Sequence, residues 1–235
     1  MTTQPTPDLF DREKAAAYDR HISRLAPIVE NLHFLIRLVL CDLPADARVL
    51  CVGVGTGAEI LSLAAANPGW TFVGVDPSQA MLEVCRERLT QAGILDRCAL
   101  VHGYLQEVAE DQAFDAALSV LVAHFISIPA RRELLKGMAG RLRQNGYLVT
   151  AEISCDLDAD EFPLMFANWA QVQKLMGATP ESLADLPRQL REVLTVLPHD
   201  ETERMLRDCG IPQPVRFFQA FMIAGWYGRV GRVTA

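Results

Sequence analysis

The chain has 235 residues, half of them hydrophobic, and a formal net charge of −7. That length suits one large domain, or one domain with an inserted cap, and the composition fills a core without membrane-like excess. The acidic balance and the lack of any basic run argue against a nucleic acid as partner.

No apolar run reaches the roughly 18 residues that a membrane span requires; the closest, LHFLIRLVLC at 32–41, is split by Arg37. The opening MTTQPTPDLF has no basic stretch followed by an apolar one. No secretory signal is therefore read, and the cytoplasm is the expected compartment. Six cysteines (41, 51, 85, 98, 155, 209) form no C-x-x-C pair and no zinc spacing. Buried free thiols and no metal are the expectation.

Residues 1–45 read as a helical cap, with Asp8 able to cap LFDREKAAAYDR and a second helix over 27–41. Past Pro44 the pattern changes to short apolar runs alternating with amphipathic stretches. RVLCVGV (48–54), TFVGVD (71–76), CALVHG (98–103), FDAALSVLV (114–122) and GYLVTAEI (146–153) are strand candidates. Helices are expected at 58–67, 78–93 and 129–143. Strands that are apolar on both faces and alternate with helices imply a mostly parallel sheet covered on both sides, an α/β Rossmann-like doubly wound domain over 46–153. Residues 154–212 read as a helical insertion, or lid, before the last strands. The segment PVRFFQAFMIAGWY returns to strand character, so 213–235 is expected to complete the sheet as a strand pair.

The first strand runs into three alternating glycines, Gly53, Gly55 and Gly57. Glycines at that point permit positive φ and let a ligand approach the main chain. Asp76 ends the second strand, where a carboxylate can accept hydrogen bonds from both hydroxyls of a ribose. The spacing G-x-G-x-x-A (Gly53, Gly55, Ala58) fits a dinucleotide, and G-x-G-x-G fits an adenosyl ligand without a pyrophosphate. The loop alone leaves both open.

The segments VLCVGVGTGAEI, FVGVDPSQAMLEVCRERL, VHGYLQEVAEDQAFDAALSVLVAHFI and LLKGMAGRLRQNGYLVTAEI, in that order, resemble the class I S-adenosylmethionine-dependent methyltransferases. The resemblance runs from about 46 to 153. It implies S-adenosyl-L-methionine as cofactor, S-adenosyl-L-homocysteine as product, and no metal. It places the glycine turn against the methionine part, Asp76 on the ribose, and Met81 on the adenine. By the same resemblance Tyr104 and Leu105 border the adenine edge, while Ser119 and Leu121 line the floor below the sulfonium. LFDREKAAAYDRHISRLAP and RFFQAFMIAGW resemble flanks of the branch related to carboxy-S-adenosylmethionine synthase. In that case Tyr18 and Arg24 close over the methionine carboxylate.

Two positions depart from the family pattern. Cys51 and Tyr104 stand where acids are common, which leaves fewer charged contacts to the cofactor. His124, just past the fourth strand, is the candidate proton acceptor. Phe166 and Trp169 share a helix face and are candidates, with His124 and Arg216, to bind a small organic acceptor. A methyltransferase acting on a small molecule is the first reading. An enzyme that alters the cofactor itself is the second, and it calls for a cation such as Arg24 or Arg216. A noncatalytic adenosyl binder is the third, and a nicotinamide dehydrogenase leaves the later segments unexplained. A homodimer is compatible with the branch, and nothing in the sequence forces it.

Overall fold

The computed structural model describes residues 23–108 and 113–231. Its centre is one seven-stranded sheet. The strands are β1 (Arg48–Val52), β2 (Thr71–Asp76), β3 (Cys98–His102), β4 (Phe114–Val120), β5 (Leu142–Ile153), β6 (Val215–Ala220) and β7 (Ile223–Arg229). The helices are α1 (Ala26–Val39), α2 (Ala58–Ala66), α3 (Gln79–Gln91), α4 (Ile128–Arg141), α5 (Phe162–Met176), α6 (Pro180–Arg188) and α7 (His199–Asp208).

The sheet order is β3-β2-β1-β4-β5-β7-β6. β1 through β5 are parallel, and β7 runs antiparallel between β5 and β6. The order reverses between β1 and β4, the switch point beside which open α/β sheets bind ligands. Five strands, α1 to α4 and the final strand pair thus appear where the sequence pattern puts them. β1 stops at Val52 because Gly53 turns to a φ of +68°. β5 starts early, at Leu142, where an irregular register against Phe114 extends the ladder.

Alternation along each strand divides the core into two layers. Val49 and Cys51 of β1 join Ala116 and Leu118 of β4 under α1, α2 and α3. Leu50 and Val52 face the other way, with Ala117, Leu148 and Trp226, toward α4 and α7. Side chains buried on both faces leave few polar positions in the central strands, which is why these runs read as continuously apolar. Arg97 pins the α2–β2 turn by donating to the carbonyls of Ala64, Asn67, Pro68 and Trp70.

The segment after β5 serves both layers. Trp169 and Val172 of α5 and Leu186 of α6 pack with the α1–α3 layer. Leu197, with Met205 and Leu206 of α7, packs with the α4 layer. The two parts are tied to the sheet by a buried polar group. Arg131 of α4 pairs with Glu152 of β5 at 3.3 Å, and Thr202 of α7 donates to the same carboxylate oxygen at 2.9 Å. Arg131 also donates to the Thr195 carbonyl at 2.5 Å. Burial pushes the Glu152 carboxyl up, and Arg131 and Thr202 pull it back.

Removing one partner of a buried pair strands the other charge in a medium that solvates it poorly. Arg131→Met is therefore expected to cost about 3 kcal/mol in urea unfolding. The double variant Arg131→Met/Glu152→Leu should regain much of that loss. A single-variant cost under about 1 kcal/mol would show that the pair does not anchor the segment.

Candidate functional site

The glycine turn is shaped first by the protein's own packing. Gly53, Gly55 and Gly57 all have positive φ, at +68°, +51° and +81°. A Cβ on Gly53 would drive into the Val122 side chain, and one on Gly57 would lie 2.6 Å from Cys85 Sγ. Gly55 differs. Among the described residues, a Cβ there would meet only the Met81 methyl, at 3.7 Å. The middle glycine thus borders open space while its neighbours lock the turn onto β4's exit and onto α3.

Asp76 stands beside that opening and is 8 % exposed. Its Oδ2 accepts from the Gly55 N–H at 2.9 Å, and its Oδ1 accepts from the Ser78 N–H at 2.8 Å. Burial pushes the carboxyl up, and these two N–H groups oppose the shift. Each carboxylate oxygen has a second lone pair left for a ligand hydroxyl. Ser78 caps α3, accepting from the Met81 N–H. Gly57 begins α2 in a left-handed conformation without a side-chain cap, so the first N–H groups of that helix face the same cleft. A glycine cradle open at Gly55, a carboxylate at its rim and an apolar Met81 floor form a donor and acceptor set suited to an adenosine.

The remaining sequence candidates divide. Leu121 follows β4 with a φ of +59°, and its N–H donates to the Ala151 carbonyl at 2.6 Å. A leucine in the left-handed region is strained, and here that bend brings Val122 over Gly53. Tyr104 follows the open-φ Gly103, and its N–H donates to Glu107 Oε2 at 2.7 Å. Leu105 is buried in the α4 layer, with its side chain against Gly137 of α4. Ser119 is buried in the α4 layer opposite Thr150, and both hydroxyls lack a partner among the described residues. Arg24 is exposed, and Tyr18 lies outside the described residues.

Three acceptor candidates take other roles. His124 is buried, and its Nδ1 accepts from the Ile153 N–H at 3.3 Å. Burial, aided by Arg131, lowers its pKa to about 3. With Nδ1 occupied and the proton on Nε2, the ring is a neutral structural link rather than a proton acceptor. Trp169 is buried in the α1–α3 layer, whereas Phe166 is only partly buried and meets Phe162 at 5.8 Å between centroids. Arg216 sits on the edge strand β6, paired with His199. Four strand spacings separate β6 from β1, roughly 19 Å, which removes Arg216 from the cleft.

Two residues that are not among the sequence candidates meet beside the glycine turn. Glu59, in the first turn of α2, and His33 of α1 approach to 4.0 Å. The signal for Glu59 was a lone acid in the apolar helix AEILSLAAA, directly after the glycines.

Residues 49–146 match the family model described as a methyltransferase domain. That stretch is a methyltransferase domain. It is of the S-adenosylmethionine-dependent class, and among the described residues no group of His, Cys, Asp and Glu side chains could hold a metal. Carboxy-S-adenosyl-L-methionine synthase of Methylococcus capsulatus is 26 % identical over 229 residues, covering 96 % of this chain and 92 % of that protein. The same-named protein of Campylobacter lari is 24 % identical, covering 86 % and 85 %. Among solved structures, an O-methyltransferase family protein from Burkholderia thailandensis aligns with a TM-score of 0.67 at 14 % identity. It covers 94 % of this chain, and this chain spans 60 % of that one, a likeness that speaks to the fold. No described helix is long and apolar enough to cross a membrane.

The buried imidazoles make stability depend on pH. His33 and His124 have folded pKa values lowered to about 4 and about 3, against 6.5 for a free imidazole. The unfolded chain therefore takes up protons first as pH falls. Their contribution is complete above about pH 6.5 and is lost progressively below it. His124→Gln, which keeps an acceptor for the Ile153 N–H, should lose less unfolding free energy than wild type between pH 7 and pH 5. Equal losses in urea titrations would show that His124 is not held neutral.

Proposed function

We propose that the protein transfers a methyl group from S-adenosylmethionine to a small organic acceptor positioned beyond the carboxyl ends of β4 and β5. The observation that carries this reading is the coincidence of the methyltransferase domain with the cradle of Gly55, Asp76 and Met81. The bound cofactor supplies a methyl group already activated on a sulfonium. Asp76 holds the ribose hydroxyls through its remaining lone pairs, and the open face of Gly55 lets the methionine part lie against the main chain. Met81 packs on the adenosine.

Placement is then the protein's main contribution to rate, since an in-line displacement gains most from alignment. His124 offers no free lone pair at Nδ1, so the reading favours a nucleophile that attacks without losing a proton to that ring. Leu121 and Ile153, at the ends of β4 and β5, are partly exposed where they pack on the core, and so are Met165 and Phe166 of α5. That apolar lining and the acidic net charge favour a small organic acceptor over a nucleic acid.

The full-length similarity to carboxy-S-adenosyl-L-methionine synthases supports a second reading, in which the cofactor itself is altered. Such a reaction needs a cation beside the sulfonium to hold a carboxylate. Arg216 is engaged with His199 on the edge strand, which leaves the exposed Arg24 as the cation to test for that requirement.

Titration calorimetry with S-adenosylhomocysteine should show binding to wild type and a loss of about 100-fold or more in Asp76→Ala. Unchanged affinity in the variant would overturn the cradle as the cofactor site. Mass spectrometry of the ligand that copurifies separates the two readings: the unmodified cofactor or its product supports methyl transfer, and a carboxylated cofactor supports the second.

A further inference from the structure

Glu59 is a carboxyl group in an apolar place. Its helix neighbours Ile60, Leu63 and Ala64 are buried, and its own side chain is 14 % exposed. It lies on the layer of α1, α2 and α3, close enough to Cys51 of β1 to push that thiol's pKa up. The titratable and charged groups that face it come from every surrounding element: His33 from α1, Arg88 from α3, Asp76 from β2 and Cys51 from β1, with Arg37 facing His33 and Cys85 facing Cys51.

Arg88 draws the carboxyl toward ionisation and Asp76 opposes it, and burial outweighs the attraction. His33 Nε2 is the ring nitrogen at 4.0 Å, and burial together with Arg37 and Arg88 keeps that ring neutral. Arg37 donates to Ser62 Oγ at 2.8 Å. Arg88 donates to the Thr56 carbonyl and hydroxyl at 3.1 and 2.8 Å. The Glu59 carboxyl is consequently raised to about 7, burial being the largest cause. A buried carboxyl in the first turn after the glycines, with only a neutral imidazole at 4.0 Å, is a place for a cation that arrives from outside the protein.

We propose that Glu59 is the carboxylate that receives the cationic amino group of the bound adenosyl cofactor, filling from helix α2 the role that Cys51 cannot fill from strand β1. The assignment rests on the reading of the cleft as the cofactor site. Cys51 projects from the strand into the layer beneath α2. A glutamate on the helix reaches the same space from above, with two more rotatable bonds to meet a ligand. Arrival of a fixed positive charge favours the ionised acid, so binding near neutral pH releases a proton from Glu59.

The test compares two ligands that share adenosine and differ in the amino-acid part. S-adenosylhomocysteine carries the ammonium group; methylthioadenosine does not. Glu59→Gln should weaken S-adenosylhomocysteine about tenfold or more and change methylthioadenosine less than about twofold. In wild type at pH 7 the binding enthalpy of S-adenosylhomocysteine should vary with the ionisation enthalpy of the buffer, and in the variant that variation should vanish.

The folded pKa of Glu59 lies above the 4.5 of a free carboxyl, so its ionisation subtracts stability as pH rises through about 7. Glu59→Gln should thus be at least as stable as wild type at pH 8, which separates lost affinity from misfolding. Unchanged S-adenosylhomocysteine affinity, or equal weakening of both ligands, overturns the role of Glu59. If wild type binds methylthioadenosine and Asp76→Ala abolishes it, the cleft reading survives that failure. If wild type binds neither ligand, both inferences fall together.

Discussion

The structure depends on a steric contact at the switch point of the sheet. Val122 leaves no room for a side chain at Gly53, and Cys85 leaves none at Gly57. With both ends of the turn pressed against neighbouring elements, the backbone takes the left-handed region at three glycines in five residues. That path turns the Gly55 N–H toward Asp76 and aims the start of α2 at the same opening. The strained φ of Leu121 belongs to the same construction, because it carries the chain after β4 back across the end of β1. Glycine is required here mainly by the protein's own side chains; only the middle one faces the cleft.

A second constraint lies beneath β5. Arg131, Glu152 and Thr202 place a charged group inside the α4 and α7 layer, where hydrophobic contacts alone would define position loosely. The Arg131–Thr195 bond and the bond from the Thr195 N–H to the His124 carbonyl join the turn after β4 to the segment that follows α6. His124 is accordingly part of the scaffold behind the cleft. Its place in the sequence, just past a central strand, is the place from which many catalytic groups act; the backbone N–H of Ile153 decides otherwise here.

Much of the fold was legible because burial on both faces forces the central strands to be apolar throughout, and because helices between them carry a different period. The glycine turn and Asp76 were legible for a related reason, as local chemistry of a strand end. What could not be read depends on which surfaces meet. Phe166 and Trp169 are correctly assigned to one helix face, but the helix rotation that buries Trp169 and leaves Phe166 partly open comes from packing against the α1–α3 layer. Arg216 is near the final strand in sequence, yet insertion of β7 beside β5 sends β6 to the sheet edge. His33 and Glu59 lie 26 positions apart and gain meaning only when α1 settles on α2. The stretch after β5 reads as one insertion by composition and divides between two layers in space.

Cys51 and Cys85 acquire a further consequence from their surroundings. Burial drives the Cys85 thiol to about 12 and pushes Cys51 up as well. A methyl sulfonium is an alkylating agent, and a thiolate is the strongest nucleophile a protein ordinarily carries. Held as neutral thiols under the turn, both sulfurs are poor nucleophiles. The apolar packing around β1 and α3 thus makes both thiols unreactive toward alkylating groups.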